Sequence, residues 1–168
     1  MTMKGRLDAR FGETDEPTEW SAVVDVLTGA QLYWLTTVRG DGRPHVTPLV
    51  GVWDDSDDGP AFVFCTGGDE QKAHNLERNT SVAVTTGVNT WTDGLDVVVE
   101  GAVTRVTGAD VLKRLADKWR EKYNGDWDFD NDDEVFVSDG SRALVYRVTP
   151  AKVIAFAKSP HGQTTFKP

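Results

Sequence analysis

Apolar residues recur along this chain in two periods, and the change from one to the other marks out the elements. Trp20, Val23, Val24 and Leu27 follow the i, i+3, i+4, i+7 spacing of one helical face. Thr18 stands where an N-cap belongs and Gly29 where a C′ glycine ends a helix, so the spacing predicts a helix between them. From residue 33 the period falls to two. Residues 33–53, YWLTTVRGDGRPHVTPLVGVW, predict a strand, a turn on Arg39-Gly40-Asp41-Gly42 and a second strand over 44–53. Glycine supplies positive φ at such a turn without steric cost, and the flanking β-branched and aromatic residues favour a pleated backbone. In the second strand His45, Thr47, Leu49 and Gly51 alternate with Val46, Pro48, Val50 and Val52. Polar and small groups therefore share one face and apolar groups the other, and the first face can approach a flat ligand closely.

The same patterning predicts strands over 61–65, 81–86 and 95–106, then two more over 142–149 and 152–157 joined at Pro150. Gly101, inside the 95–106 run, signals a bulge or a close backbone approach. Residues 109–123 predict a covering helix, with Val111, Leu112, Leu115, Ala116 and Trp119 on its apolar face. The acidic stretches 54–60 and 124–134 both look like calcium loops at first. The first has Cys65 at position twelve; the second, counted from Asp126, has Asn131 at position six and Val137 at twelve, so both fail the pattern. The first reads as a solvated hairpin loop and the second as a loop pinned by Trp127 and Phe129. Residues 1–17 read as a polar, irregular, flexible segment, and 18–168 as a single domain. The tail from Lys158 is polar, rich in turn formers and ordered only by contact with something else. Six to seven strands with two or three helices describe a mainly β (α+β) antiparallel barrel covered by helices.

Composition narrows the function classes. Lys plus Arg number 18 against 27 Asp plus Glu, a net charge of −9, which leaves no extended basic footprint for nucleic acid. No apolar run approaches the roughly twenty residues of a membrane span, and residues 1–17 hold no signal-peptide core. A single cysteine, Cys65, lies in an apolar run and reads as a buried small hydrophobe. A cytoplasmic protein that neither spans a membrane nor binds nucleic acid is the expectation.

Two places carry candidate chemistry. Pro48 has no N–H, so the ladder can break there and free the backbone of Val46, Thr47 and Leu49 to bond a planar heterocycle. Taken alone, Pro48 also fits a residue that merely blunts an edge strand. The stretch from Thr66 to Asn79 reads as a strand end, a two-glycine turn, a cap at Asp69 and a short helix with Lys72 in its first turn. Such a corner suits phosphate, and it also fits an ordinary capped helix with a solvated lysine. His45, His74 and His161 lack metal-ligand spacing, and no nucleophile elbow, Walker loop or dinucleotide fingerprint occurs, so no metal site and no catalytic side chain is assigned. A bound cofactor would then carry the chemistry.

The segments 35–48, 62–76 and 94–101 resemble the pyridoxamine 5′-phosphate oxidase-like family of split β-barrel flavin and deazaflavin oxidoreductases, most closely its coenzyme F420-dependent group, over roughly residues 20–166. The ending Gly162-Gln163-Thr164-Thr165-Phe166 resembles that group's tail, with Thr165 where a basic residue is usual. The resemblance implies a homodimer with two interface cofactor sites holding F420, or alternatively FMN. It places His45, Val46, Thr47, Pro48 and Leu49 along the ring system and Thr66, Gln71 and Lys72 at the phosphate. Trp91, Lys158, Gln163 and Thr164 would approach from the partner subunit. The implied activity is hydride transfer from reduced F420 to an unsaturated or conjugated small-molecule acceptor. The alternatives are an FMN-dependent oxidase or flavin reductase, and a non-catalytic flavin, deazaflavin or haem carrier.

Overall fold

The structure, a computed structural model, describes residues 3–56 and 59–168. Met1 and Thr2 of the predicted flexible segment, and Asp57 and Asp58 of the predicted acidic loop, lie outside the described residues. In chain order the elements are β1 (Arg6–Gly12), α1 (Trp20–Gly29), β2 (Tyr33–Val38), β3 (Pro44–Leu49), β4 (Val52–Ser56), β5 (Gly59–Gly67) and α2 (Gln71–Leu76). There follow β6 (Ser81–Thr86), β7 (Leu95–Arg105), α3 (Ala109–Lys122), β8 (Asp130–Asn131), β9 (Val135–Ser138), β10 (Ser141–Lys158) and β11 (His161–Phe166). The strands form one antiparallel sheet that runs β1-β11-β10-β7-β6-β2-β3, with β5 and β9 also on β10, β4 on β5 and β8 on β9. The sheet does not close, because β1 and β3 stand at its two ends. This is the split-barrel architecture expected, with eleven strands among the described residues where patterning predicts six to seven. No helix among the described residues is long and apolar enough to cross a membrane.

The extra strands come from identifiable places. Residues 44–53 are not one strand: the chain leaves β2 after Leu49 and resumes at Val52 as the partner of β5. Gly51 makes that crossing, where an added Cβ would lie 2.4 Å from Phe62 Cζ and 2.7 Å from the Val63 carbonyl. Conversely, 142–149 and 152–157 are one strand of 18 residues. The register shifts between Pro150 and Lys152, so a bulge accommodates the missing proline N–H without breaking the strand. Opposite it sits Gly101, whose added Cβ would be 2.2 Å from the Thr149 carbonyl, which is the close approach its position signals.

Both chain ends are corrections. Residues 6–12 are strand β1, paired with β11, rather than irregular, and the tail forms β11 between β1 and β10. Its inward residues Gly162, Thr164 and Phe166 are buried. Thr18 does not cap α1. Its N–H donates to Thr164 Oγ1 at 2.9 Å, Glu19 occupies the cap position without a side-chain bond, and Gly29 lies in the last turn.

Two apolar clusters fill the fold. One joins Trp20, Val23 and Leu27 of α1 to Leu35, Phe62 and Val99 of the sheet. The other joins Leu112, Leu115 and Trp119 of α3 to Phe129, Phe136 and Val145. Val111, expected on the apolar face of α3, is exposed, since the helix turns the Leu112, Leu115, Ala116 and Trp119 stripe inward.

Candidate functional site

Beside the end of β3 lies a groove of about 1040 Å³. One wall is Pro48, Leu49 and Val50, where β3 leaves the sheet; the floor is Cys65, Thr66 and Gly67 at the end of β5; the far wall is the loop at 125–129 with Phe136. Trp127 is half-exposed at its rim, and Phe129 stacks on Phe136 with centroids 4.8 Å apart and planes 12° from parallel. The charged side chains on the lining are one ammonium, Lys72, and four carboxylates, Glu70, Asp126, Asp128 and Asp139.

At the floor three donors converge. The Thr66 hydroxyl and the Gly67 N–H each reach Glu70 Oε1 at 2.9 Å, and Lys72 Nζ contacts Glu70 Oε2. Thr66 and Lys72 are 3% and 5% exposed, so a hydroxyl and an ammonium are both held away from solvent. Burial pushes the Glu70 carboxyl up, but Lys72, the Gly67 amide and the Thr66 hydroxyl outweigh it and hold the group below the usual carboxylate range. Burial, with the nearby Glu70 charge, pushes the Cys65 thiol up to about 12, so this cysteine stays protonated and unreactive at neutral pH. Neither Asp69 nor Glu70 caps α2 through its side chain; the Glu70 carboxylate turns back to the strand end instead.

A hydrogen-bonded knot holds the β3–β4 crossing against α3. Lys122 Nζ donates to the Tyr33 hydroxyl at 2.5 Å and the Gly51 carbonyl at 2.9 Å, and the Gly51 N–H donates to the Tyr123 hydroxyl at 3.0 Å. Burial pulls the Lys122 ammonium down to about 8. Further along β4, Asp54 is fully buried, which corrects its expected place in a solvated loop. It meets Arg114 at 2.7 Å, Lys118 at 2.7 Å and Arg147 at 3.2 Å.

A second groove, of about 600 Å³, opens between the loop at 89–91 and the β10–β11 hairpin, lined by Trp91, Phe156, Lys158 and Gln163 among others. Trp91 is 79% exposed and lies 5.4 Å from the His161 ring. Lys158 pairs with Asp96 at 3.0 Å and donates to the Thr90 carbonyl at 2.8 Å. The sheet register links the two grooves. Pro48 lies opposite Trp34, Trp34 opposite Thr85, Thr85 opposite Val98, Val98 opposite Ile154, and Phe156 opposite Gln163. Directly paired residues share a face, and alternate residues of one strand do too, so one outer face runs from the first groove to the second. On it Trp34, Val46 and Pro48 are exposed, and Val98, Ile154 and Phe156 are half-buried.

The structure thus brings Pro48, Leu49, Thr66 and Lys72 together in one groove and Trp91, Lys158 and Gln163 in the other. His45 and Thr47 lie on the half-buried side of β3, with Val46 on the exposed side; burial together with Arg39 and Lys72 pulls the His45 imidazole down. The expected alternation is real, but it is the apolar face that meets solvent. Gln71 turns to a separate hollow with His74 and Arg78, and its amide donates to Asn75 at 2.8 Å. Thr164 is buried among Gly5 and Thr18, which removes it from the surface of either groove. Glu70, Trp127 and Phe136 line the first groove without having been singled out for it. The signal for Glu70 was its place four residues after Thr66 and two before Lys72.

The family model for pyridoxamine 5′-phosphate oxidase matches residues 20–156. Many solved structures share the fold, three of them as follows. A conserved hypothetical protein from Mycobacterium tuberculosis is 18% identical, with 91% of this chain and 90% of that one covered, at a TM-score of 0.66. A pyridoxamine 5′-phosphate oxidase-related, FMN binding protein from Nostoc punctiforme is 14% identical, with 82% and 80% covered, at a TM-score of 0.59. An F420 reductase is 23% identical, with 77% and 93% covered, at a TM-score of 0.57. No curated protein matches the chain significantly. The matched stretch takes in the β2–β3 hairpin, the corner with Thr66 and Lys72, and most of β10, and the chain belongs to the pyridoxamine 5′-phosphate oxidase family.

Proposed function

We propose that this chain is an oxidoreductase that holds a flavin or deazaflavin beside β3 and transfers hydride to a small unsaturated or conjugated acceptor, with reduced F420 the favoured donor. The observation that carries this reading is the single groove in which an apolar strand edge, Pro48 to Val50, adjoins a three-donor anion cradle of Thr66, Gly67 and Lys72. A planar ring system with a phosphate needs that pairing of surfaces. The donor set fits a phosphate oxygen, since a hydroxyl, an amide N–H and an ammonium all donate. When bound, the reduced ring supplies the hydride.

The chain's share is binding, orientation and exclusion of water. Pro48, Leu49 and Val50 present the strand edge to the ring, Thr66 and Lys72 hold the phosphate, and Trp127, Phe129 and Phe136 close the wet side. Charge does not choose between the two cofactors: the F420 phosphodiester carries one negative charge where the FMN monoester carries close to two, but F420 also brings the carboxylates of its acidic tail to a groove with one ammonium and four carboxylates. F420 is favoured on the resemblance of the sequence. The F420 reductase that shares the fold is consistent with this choice.

The reading includes a homodimer. An outer face that exposes Trp34, Val46 and Pro48 and links the two grooves is too apolar to leave in water without reason. A second copy related by a two-fold axis would cover it and set the Trp91–Lys158 groove of one copy toward the β3 groove of the other. Val46→Asp, which adds a charge at the middle of that face, is expected to convert a dimer to a monomer in light scattering. A wild-type monomer at micromolar concentration would refute the assembly.

The cofactor is tested by titrating the apo-protein with F420 and with FMN and following tryptophan fluorescence. Tighter binding of F420 supports the deazaflavin reading; tighter binding of FMN moves the protein to the flavin branch, and a failure to reoxidise the bound cofactor with any acceptor makes it a carrier. In the same titration Lys72→Ala is expected to weaken binding by at most about 1.5–3 kcal/mol, the range for hydrogen bonds to charged groups. Unchanged affinity would remove Lys72 from the phosphate.

A further inference from the structure

The cradle is already filled from within. Both Glu70 carboxylate oxygens are engaged, Oε1 by the Thr66 hydroxyl and the Gly67 N–H at 2.9 Å each, Oε2 by Lys72 Nζ. Two of the donors, Thr66 and Lys72, are buried and Gly67 is half-buried, yet the Glu70 side chain itself is 51% exposed. It reaches the cradle from the solvent side, and rotation about its own bonds removes it without unpacking the core. Lys72 explains why something must sit there. An ammonium with only 7% of its side chain exposed is costly without an anion beside it, and Glu70 is the carboxylate that pairs with it here. Thr66, Gly67, Glu70 and Lys72 all line the same groove, so an anion arriving there meets donors already in use.

We infer that Glu70 is a resident anion that keeps the cradle neutral until a ligand's phosphate displaces it, and so sets how tightly the site holds phosphate. The inference rests on the reading that this cradle holds the ligand's phosphate. Exchange of one anion for another leaves the number of hydrogen bonds to Thr66, Gly67 and Lys72 unchanged, so the ligand gains only the difference between its bonds and those of Glu70. The displaced carboxylate stays two residues from Lys72 and repels the newcomer, more strongly for a doubly charged monoester than for a singly charged diester. Wild-type binding is weakened accordingly.

The test compares the wild-type chain with Glu70→Gln, which keeps the size and removes the charge, and Glu70→Ala, which empties the cradle. Both variants are expected to bind FMN and F420 roughly tenfold or more tightly, because the competing charge beside Lys72 is gone and, in Glu70→Ala, the donors are uncommitted as well. Riboflavin, which lacks the phosphate, is expected to bind all three proteins alike. Inorganic phosphate serves as a second probe, read as the rise in melting temperature it produces. That rise should be larger in both variants than in the wild type, and lost in the double variant Glu70→Ala, Lys72→Ala. Unchanged or weaker binding of inorganic phosphate in folded Glu70→Gln would overturn the inference, as would an equal gain for riboflavin. If the variants gain affinity for inorganic phosphate while FMN and F420 bind none of the proteins, the role of Glu70 stands and the cofactor reading falls.

Discussion

Replacing Asp54 with Asn is expected to lower folding stability by about 3 kcal/mol, the low end of the range for breaking a buried ion pair. The carboxylate is fully buried and meets three cations, two from α3 and one from β10. Asn keeps the shape and can still accept hydrogen bonds, but it strands positive charge around a buried amide. Arg114 and Lys118 are 39% and 37% exposed and can turn to water, whereas Arg147, at 14%, cannot, which holds the loss near the bottom of the range. Acid gives an independent check. Burial raises the Asp54 carboxyl, but Arg114, Lys118 and Ser56 outweigh burial and hold it well below the usual carboxylate range. A carboxyl depressed in the folded state stabilises the fold above its unfolded pKa, near 4, and loses that contribution as pH falls through the folded value. Chemical denaturation at successive pH values should therefore show the wild type and Asp54→Asn converging in acid. A constant gap down to the most acid condition would mean that the charge of Asp54 is not what holds these elements together.

Trp119→Ala is expected to cost about 3–5 kcal/mol in the same measurement, as for other large-to-small changes of a buried aromatic side chain. The ring is fully buried, 5.5 Å from the Phe136 ring and 6.2 Å from Phe129, both close to edge-on. Its loss empties the centre of the α3 cluster and takes away the support under Phe129, which ends the loop that walls the groove. Trp119→Phe should cost less than size alone dictates, because the indole Nε1 has no hydrogen-bond partner and phenylalanine removes that buried donor. A loss below about 1 kcal/mol for the alanine variant would contradict a close-packed cluster there.

The β2–β3 hairpin was legible because its period-two pattern and its glycine turn agree, and α3 because its stripe of Leu112, Leu115 and Trp119 is unambiguous. The break between β3 and β4 was not, because Val52 continues the alternation, and the close approach that needs glycine at 51 is to Phe62 and Val63 on another strand. The chain ends misled for a related reason. In β11 the inward positions are Gly162, Thr164 and Phe166, so two of three carry no hydropathy signal, and what lies against them is Thr14, Gly5, Thr18 and Trp20 from the start of the chain. Asp54 sits in an acidic run that reads as solvated, and its partners are 60 to 93 residues away. At the candidate site Thr66 and Lys72 could be found from a strand end followed by two glycines and a helix. The cradle on Glu70 could not, since it depends on a side chain folding back toward its own strand. Trp91, Lys158 and Gln163 share a groove separate from Pro48, a separation no linear pattern expresses.

Strand β10 imposes an order on the protein's birth. It bonds in turn to β9, β5, β7 and β11, so β5 and β7 each keep one edge bare until residues 141–158 leave the ribosome. Until then a nascent chain carrying Phe62, Phe64, Val97 and Val99 has no sheet to complete, and pairings this distant in sequence form slowly. The segment that follows then supplies β11, which pairs with β1 as well as with β10, so strand β1 from the start of the chain finds its partner only after β10 has been made.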